Sequence, residues 1–302
     1  MTRITEASAA SILARLRNLA RTEYPNLPAN LMLLLYAQQG LLARLDASPH
    51  AGQFVLKGAL SLFARLGNAA RPTEDIDLAA QDLPNTPEAV AAVIRTLCAI
   101  TVGDGLVFDP DSVAVRRINE ALQYPGVGVT VGASLGSSRV RLQLDLSFGN
   151  AITPEPVAWI FPALLLPRGV PVRLYPLETV VTEKFAALLE IGEATTRMKD
   201  LYDLWVILSA THFEADVMRL ALERSFAARA TPLAAVAPTL AAEFAGSTVL
   251  NTRWRQYLSR TRFEAPGFAE VMALLEAFYR PLLLEQRRTG FWQPQEGRWL
   301  EE

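Results

Sequence analysis

Lysine is scarce in this 302-residue chain. Of twenty-nine basic residues, only Lys57, Lys184 and Lys199 are lysines. A bias of base composition toward arginine accounts for the small number but not for the placement. All three lie in or beside the segments where charge is most concentrated. Arginine presents a wide planar fork and lysine a compact point charge, so the retained lysines mark places where an ammonium is wanted near phosphate or metal. Cysteine is scarcer still. Cys98 stands alone, which excludes an internal disulfide, and with only His50 and His212 beside it a zinc site with the usual ligands is excluded too. Cys98 sits in an apolar pattern and reads as an inert core thiol, and the two isolated histidines read as structural or exposed. Long apolar runs are missing: the longest, residues 31–36, is far too short to span a bilayer. The first turns carry Arg3, Arg15, Arg17 and Arg21 without an unbroken apolar stretch, so no signal peptide is expected and the cytoplasm is the expected compartment. Neither sign of charge dominates. A net charge of −2 excludes a broadly basic nucleic-acid coat while leaving room for a local basic patch.

Half of the residues are hydrophobic, and the length suits two domains or one domain with a helical extension. Residues from about 6 to 47 read as two helices, with Leu13, Leu16 and Leu19 at helical spacing and Leu27-Pro28 at the break. A short strand, Gln53-Phe54-Val55-Leu56, turns at Gly58 into a helix carrying Leu60, Leu62, Phe63 and Leu66, which Gly67-Asn68 stops. Residues 75–80 alternate charged and aliphatic as a strand does when one face meets solvent. Thr86-Pro87-Glu88 opens another helix. Between about 106 and 148 the period becomes two. Val127, Val129 and Val131 alternate, as do Val140, Leu142, Leu144 and Leu146, with Gly136-Ser137-Ser138 between them, which predicts a β-hairpin. A proline-rich stretch from Pro154 to Pro176 reads as a long connection, and everything beyond about Leu177 reads as helix after helix.

Asp75 and Asp77 are separated by one residue, which on a strand directs both carboxylates to one face, roughly 6 to 7 Å apart at Cα. Such a pair repels, and a divalent cation resolves the conflict. Mg²⁺ accepts one or two carboxylates and completes its shell with water and phosphate oxygens. Asp145, the acid on an otherwise apolar-alternating strand, would close the set, and three acids can hold two metals. The plain alternative is an acidic pair on a solvated edge. The Gly58 turn favours chemistry, because glycine at a strand-to-helix turn lets backbone N–H groups approach phosphate, with Lys57 and Arg71 supplying positive charge. A second charged segment runs Arg197-Met198-Lys199-Asp200-Leu201-Tyr202-Asp203-Leu204. On a helix Lys199 and Asp203, and Asp200 and Asp203, share a face. An ordinary surface ion-pair cluster is the plain alternative there.

These two blocks resemble the AbiEii/AbiGii family of nucleotidyltransferase-like toxins, within the nucleotidyltransferase superfamily. The first match is Leu56-Lys57-Gly58-Ala59-Leu60-Ser61-Leu62 followed by Arg71-Pro72-Thr73-Glu74-Asp75-Ile76-Asp77-Leu78. The second is the late Arg-x-Lys-Asp-x-x-Asp motif at Arg197 to Asp203, with Lys184 upstream. The likeness spans about residues 53 to 206. It implies an α+β fold: a nucleotidyltransferase-like mixed-sheet core at about 51–176, a helical N-terminal lead-in at 1–50, and an all-helical C-terminal portion at 177–302 contributing to the cleft. It also implies transfer of a nucleotide from an NTP with Mg²⁺ or Mn²⁺. Asp75, Asp77 and Asp145 would be metal ligands, and Asp75, Asp77, Lys184, Asp200 and Asp203 catalytic. Lys57, Gly58, Ser61, Arg71, Thr73, Lys184, Arg197 and Lys199 would bind the nucleotide, and Lys184 would contact the triphosphate, oriented by Asp203 or Asp200 unless one of these serves as base. The second motif would meet the first at one cleft. Ala59 and Leu60 depart from the pattern, standing where many members carry a second glycine and a hydroxyl.

The same resemblance implies an RNA acceptor, with tRNA foremost, and a cognate antitoxin. Arg253-Trp254-Arg255-Gln256-Tyr257 and Arg260-Thr261-Arg262 interleave arginine with aromatics, which suits phosphate contact and base stacking, although an amphipathic helix with its aromatics in the core has the same pattern. Three readings compete with a toxin acting on RNA. A nucleotidyltransferase for small amines would share the metal site but line its pocket with acids. A haloacid-dehalogenase-like phosphatase also uses Asp-x-Asp, but wants a long apolar strand just before it, where this chain has Arg71-Pro72-Thr73-Glu74. A binding module with a relict site would not be expected to keep every acid and lysine.

Overall fold

The computed structural model describes residues 6–24, 29–67, 70–118 and 125–301; the expected helix break at Leu27-Pro28 and the expected stop at Asn68 lie outside them. The chain forms two compact units, Met1–Asn150 with Pro156–Tyr175, and Ala151–Glu155 with Pro176–Glu302.

The first unit is built on a seven-stranded mixed sheet of order β3-β4-β5-β2-β1-β7-β6. Its strands are β1 (Phe54–Lys57), β2 (Asp75–Ala80), β3 (Val107–Ile118), β4 (Gly126–Leu135), β5 (Ser138–Ser147), β6 (Val157–Phe161) and β7 (Val170–Leu174). Its helices are α1 (Glu6–Thr22), α2 (Ala29–Asp46), α3 (Gly58–Leu66) and α4 (Pro87–Ala99). The alternation along β4 and β5 makes the predicted hairpin, with Leu135 opposite Ser138. The inward residues, Val127, Val129 and Val131 facing Leu146, Leu144 and Leu142, are all fully buried. Thr86 caps α4 through its hydroxyl, which accepts from the Ala89 N–H, and Pro87 stands in the first turn. The core lies where α1, α2 and α4 bury Leu16, Leu35, Leu41, Val90 and Ile94 with Leu56, Ile76, Leu78, Val129 and Leu144 of the sheet. Each fully buried side chain of this kind contributes about 1.5–3 kcal/mol relative to exposure. The proline-rich stretch is not merely a connection. It contributes β6 and β7, antiparallel to each other, with β7 parallel to β1.

The second unit comprises α5 (Leu177–Ile191), α6 (Met198–Ala210), α7 (Ala215–Arg229), the single turns α8 (Val236–Thr239) and α9 (Ala242–Ala245), α10 (Thr248–Thr261) and α11 (Phe268–Leu283). It is not all-helical. A small antiparallel sheet of order β10-β9-β8 joins β8 (Phe213–Glu214), β9 (Phe291–Gln293) and β10 (Arg298–Leu300). Its strands are too short to display a period, and aromatic burial holds them. Trp292 and Trp299 pack on Phe278 with ring centroids 4.9 and 5.1 Å away, and their indole N–H groups donate to the Leu208 and Phe278 carbonyls. On the other side of Phe278, Tyr279 stacks on Phe185 at 3.8 Å and donates its hydroxyl to the Val181 carbonyl.

Candidate active site

The turn between β1 and α3 places backbone and carboxylate in close register. Gly58 opens α3 with φ +64°, and Lys57 just before it pairs with Asp77 across the antiparallel β1–β2 ladder. A Cβ added to Gly58 would lie 2.7 Å from Asp77 Cγ and 2.9 Å from its Cβ, and closer still to Oδ2. Only glycine satisfies both the positive φ and this approach. The β1–α3–β2 geometry therefore seats the Asp77 carboxylate against the turn.

Register assigns the other acids. Asp75 pairs with Gln143 and Asp77 with Asp145 across the parallel β2–β5 ladder, so all three carboxylates project from one face. Ile76, Leu78, Leu144 and Leu146 project from the other into the core. The rung through Asp77 continues outward from Asp145 to Gly128 on β4 and Arg116 on β3, and inward to Lys57 on β1. Among the described residues no three His, Cys, Asp or Glu side chains form a closed metal-ligand group, so the three acids share a face without forming a cage by themselves. The segment leading into β2 is fixed from α2, where the buried Gln38 amide donates to the Glu74 carbonyl at 3.0 Å and more weakly to that of Thr73. The Thr73 hydroxyl is engaged with the Asp75 backbone, accepting from its N–H and donating to its carbonyl at 3.4 and 3.3 Å. Arg71 is half-buried. Ser61 corrects the expectation of a phosphate-facing hydroxyl: it is 1% exposed and donates to the Gly58 carbonyl at 2.8 Å, bracing the turn from inside.

In the second unit Lys184 of α5 donates to Asp200 Oδ1 at 2.7 Å and to Asp203 Oδ2 at 2.8 Å, both on α6. Arg197 donates its Nε to the second Asp200 oxygen. This is no surface cluster. Asp200 and Asp203 are buried, and the Lys184 side chain is 12% exposed. Lys199, expected to share a face with Asp203, is exposed, because both carboxylates turn inward toward α5. Burial alone would raise the Asp200 carboxyl, but Lys184 and Arg197 outweigh it and hold the group down to about 2. For Lys184 burial works downward and is overcome by Asp203 and Asp200, so its ammonium is held above the ordinary lysine value.

The arginine–aromatic segment falls on α10, and its aromatics face the core. Trp254 is 1% exposed, donates its indole N–H to the Pro266 carbonyl, and neighbours Tyr257, which packs near Tyr202 and Phe263. Arg253 donates to the Glu193 and Thr195 carbonyls at 2.8 and 2.9 Å, fixing the connection that presents Arg197. Base stacking on these rings is excluded by burial; Arg255 and Arg260 remain on an open, polar stretch with Thr252, Gln256 and Ser259.

The remaining residues singled out by type are structural. His50 Nδ1 meets Gln53 Oε1 and His212 Nδ1 meets the Trp292 carbonyl. Burial pushes the Cys98 thiol up to about 11. An apolar hollow of about 420 Å³, bounded by Leu42, Phe54, Leu56, Leu78 and Ile160, includes side chains on the core side of β1 and β2, away from the acids. Sequence reasoning missed the buried pair of Arg44 and Asp104, 2.6 Å apart, and the rung neighbours Gly128 and Arg116. No helix among the described residues is long and apolar enough to cross a membrane.

Comparison with curated protein sequences finds none that matches. Among solved structures, the chain is similar to a candidate nucleotidyltransferase from H. pylori at 16% identity, covering 86% of this chain and 99% of that one, with a TM-score of 0.48. JHP933 from Helicobacter pylori gives 16% identity, 86% and 100% coverage and a TM-score of 0.46. ANT(2″)-Ia, in complex with adenylyl-2″-tobramycin, gives 18% identity, 65% and 97% coverage and a TM-score of 0.34. Residues 40–277 match the family described as nucleotidyl transferase AbiEii toxin, type IV toxin–antitoxin system, and the chain belongs to that family.

Proposed function

We propose that this nucleotidyltransferase moves a nucleotide from an NTP to a hydroxyl of RNA, tRNA foremost, with a divalent metal held at the Asp75–Asp77–Asp145 face. The observation that carries the reading is the common face of those three acids beside the Gly58 turn. Mg²⁺ needs only one or two carboxylates, the rest of its shell coming from water and phosphate oxygens, so the donor set suits Mg²⁺ or Mn²⁺ without a closed cage. When bound, such a cation neutralises the triphosphate and the departing pyrophosphate. The acceptor oxygen attacks the α-phosphorus, the bond from that phosphorus to the pyrophosphate oxygen breaks, and the hydroxyl proton passes to a base. Lys57, Arg71 and the Gly58 backbone are assigned to the phosphates. Thr73 serves by orienting Asp75. Lys184 is assigned to the triphosphate, with Arg197 and Lys199 adding positive charge. Asp200, held near 2, is too weak a base for that proton and is assigned to orient Lys184, with Asp203 beside it. The type IV system implies a cognate antitoxin.

The test is incubation of the protein with total RNA, Mg²⁺ and each labelled NTP in turn, with small amines as rival acceptors. Label should enter RNA with one NTP, and chelation of the metal or Asp75→Ala should reduce it to background. Full activity of Asp75→Ala would refute the mechanism, and label entering only the amines would hand the site to the small-molecule reading.

A further inference from the structure

We propose that Arg116, at the outer end of the rung Lys57–Asp77–Asp145–Gly128–Arg116, holds a phosphodiester of the nucleic-acid acceptor next to the attacking hydroxyl. This rests on the reading that Asp75, Asp77 and Asp145 form the transfer site, and it assigns the side of the site from which the acceptor enters.

The rung is one continuous line of paired residues over five strands, so all of its side chains project from the same face. At a strand spacing near 4.8 Å, Arg116 lies about 10 Å beyond Asp145, and Lys57 lies about 10 Å on the opposite side. The phosphates of the NTP belong at the Lys57 end, where the Gly58 turn offers its backbone. The acceptor therefore approaches from the other end, over β4 and β3. Gly128 keeps that approach low. A Cβ there would lie 3.1 Å from Cγ2 of Ile118 and 3.6 Å from both Cγ and Nε of Arg116. The two β3 side chains thus border the space the missing side chain leaves, Ile118 more closely and Arg116 with its charged end. Arg116 is exposed, and Arg139 and Arg141, on the same face of β5 as Asp145, are exposed as well. Asp109, farther along β3 on the rung of Arg141, is an acid on this part of the face and accepts from the N–H of Asp111, which is exposed in the bulge between Asp109 and Ala114. Arg116 in line with Asp145, with Arg141 and Arg139 successively farther along β5, forms a track that suits a phosphodiester chain and repels a cationic small acceptor, whose pocket would need carboxylates where these arginines stand.

The experiment measures binding of a fluorescent single-stranded RNA oligonucleotide to the full-length protein over a series of KCl concentrations, with the wild type, Arg116→Ala and Arg116→Lys. Loss of one phosphate contact should weaken RNA binding and reduce the slope of log K against log salt by about 0.7, and Arg116→Lys should keep the wild-type slope. NTP affinity should not change in either variant, which also verifies folding. An unaltered slope in Arg116→Ala, or no RNA binding by the wild type, overturns the assignment. The readout needs no turnover, so a protein that binds RNA with the expected slopes but transfers nothing would refute the transfer reading and leave Arg116 as an RNA contact.

Discussion

The Asp77 carboxylate occupies the space that a side chain at Gly58 would need. The strand-to-helix turn and the acid are thus one unit: the turn can lie close to a phosphate because it has no side chain, and the acid is packed against it. Gly58→Ala adds a strained φ and a collision, each of the kind that costs about 1–3 kcal/mol, for a combined loss of about 2–6 kcal/mol. Removing the Asp77 carboxylate as well, in Gly58→Ala with Asp77→Ala, should recover part of that loss but not all, since the Asp77 Cβ would still be 2.9 Å from the new methyl group. Urea denaturation of Gly58→Ala, Asp77→Ala and the double variant measures the coupling. Strictly additive losses would mean that the turn moves away from Asp77 without resistance.

Much of this arrangement is legible in the sequence. The β4–β5 hairpin follows from strict alternation, and the shared face of Asp75 and Asp77 from their spacing. Asp145 joins them because it occupies an outward position on a strand whose inward positions from Val140 to Leu146 are all apolar. What is not legible is tertiary. Nothing in the sequence of β3 says that Arg116 will lie in line with Asp77, because register between strands is set by the whole sheet. β6 and β7 are concealed by prolines, Pro156 and Pro162 flanking β6 and Pro171 standing inside β7. Pro171 lies opposite Ile160 in the β6–β7 ladder and is tolerated because β7 pairs with β1 only at Leu174, leaving Pro171 outside the β1–β7 pairing. In the second unit, i to i+4 spacing pointed to Lys199 as the partner of Asp203, whereas the partner comes from another helix.

The Asp200 carboxyl predicts a specific acid sensitivity. Its folded value of about 2 lies below the ordinary 3.8, so the ionised form favours the fold. That contribution, about 2 kcal/mol, is complete above about pH 4 and is lost as the pH falls toward 2. Lys184 acts in the opposite sense. Its value is raised above 10.5, so its contribution is complete below that pH and is lost only as the pH rises through the folded value. Denaturant midpoints of the wild type and Asp200→Asn, compared at pH 7, 4 and 2.5, should converge as acid is added. A gap that stays constant between pH 4 and 2.5 would rule out Asp200 as the source.

Arg44 and Asp104 should be the costliest ion pair to break in the first unit. Arg44 and Asp104 are 1% and 2% exposed, and the guanidinium also donates to the Gly40 and Leu106 carbonyls and stands 4.5 Å from the Phe108 ring. Asp104→Ala leaves that guanidinium buried without its carboxylate and should cost about 3–5 kcal/mol. Adding Arg44→Met removes the stranded charge and should return part of the loss. A cost below about 1 kcal/mol for Asp104→Ala, in the range of exposed pairs, would show that water reaches the pair.

Lys184→Arg separates a phosphate-binding lysine from a purely structural one. The ammonium reaches Asp200 and Asp203 together at 2.7 and 2.8 Å, from a side chain only 12% exposed. A guanidinium keeps the charge but spreads it over a larger plane, so the variant should lose about 1–3 kcal/mol of stability through overpacking. NTP binding should fall as well, because the charge can no longer be placed at a point. Measuring both well below the melting temperature keeps the two effects apart. Arg197→Ala is the companion change: it withdraws an exposed contact from Asp200 and should lower stability by no more than about 1 kcal/mol. If Lys184→Arg is folded at the assay temperature and transfers nucleotide at the wild-type rate, the cluster of Lys184, Asp200 and Asp203 is a helix clamp and the triphosphate must be held elsewhere.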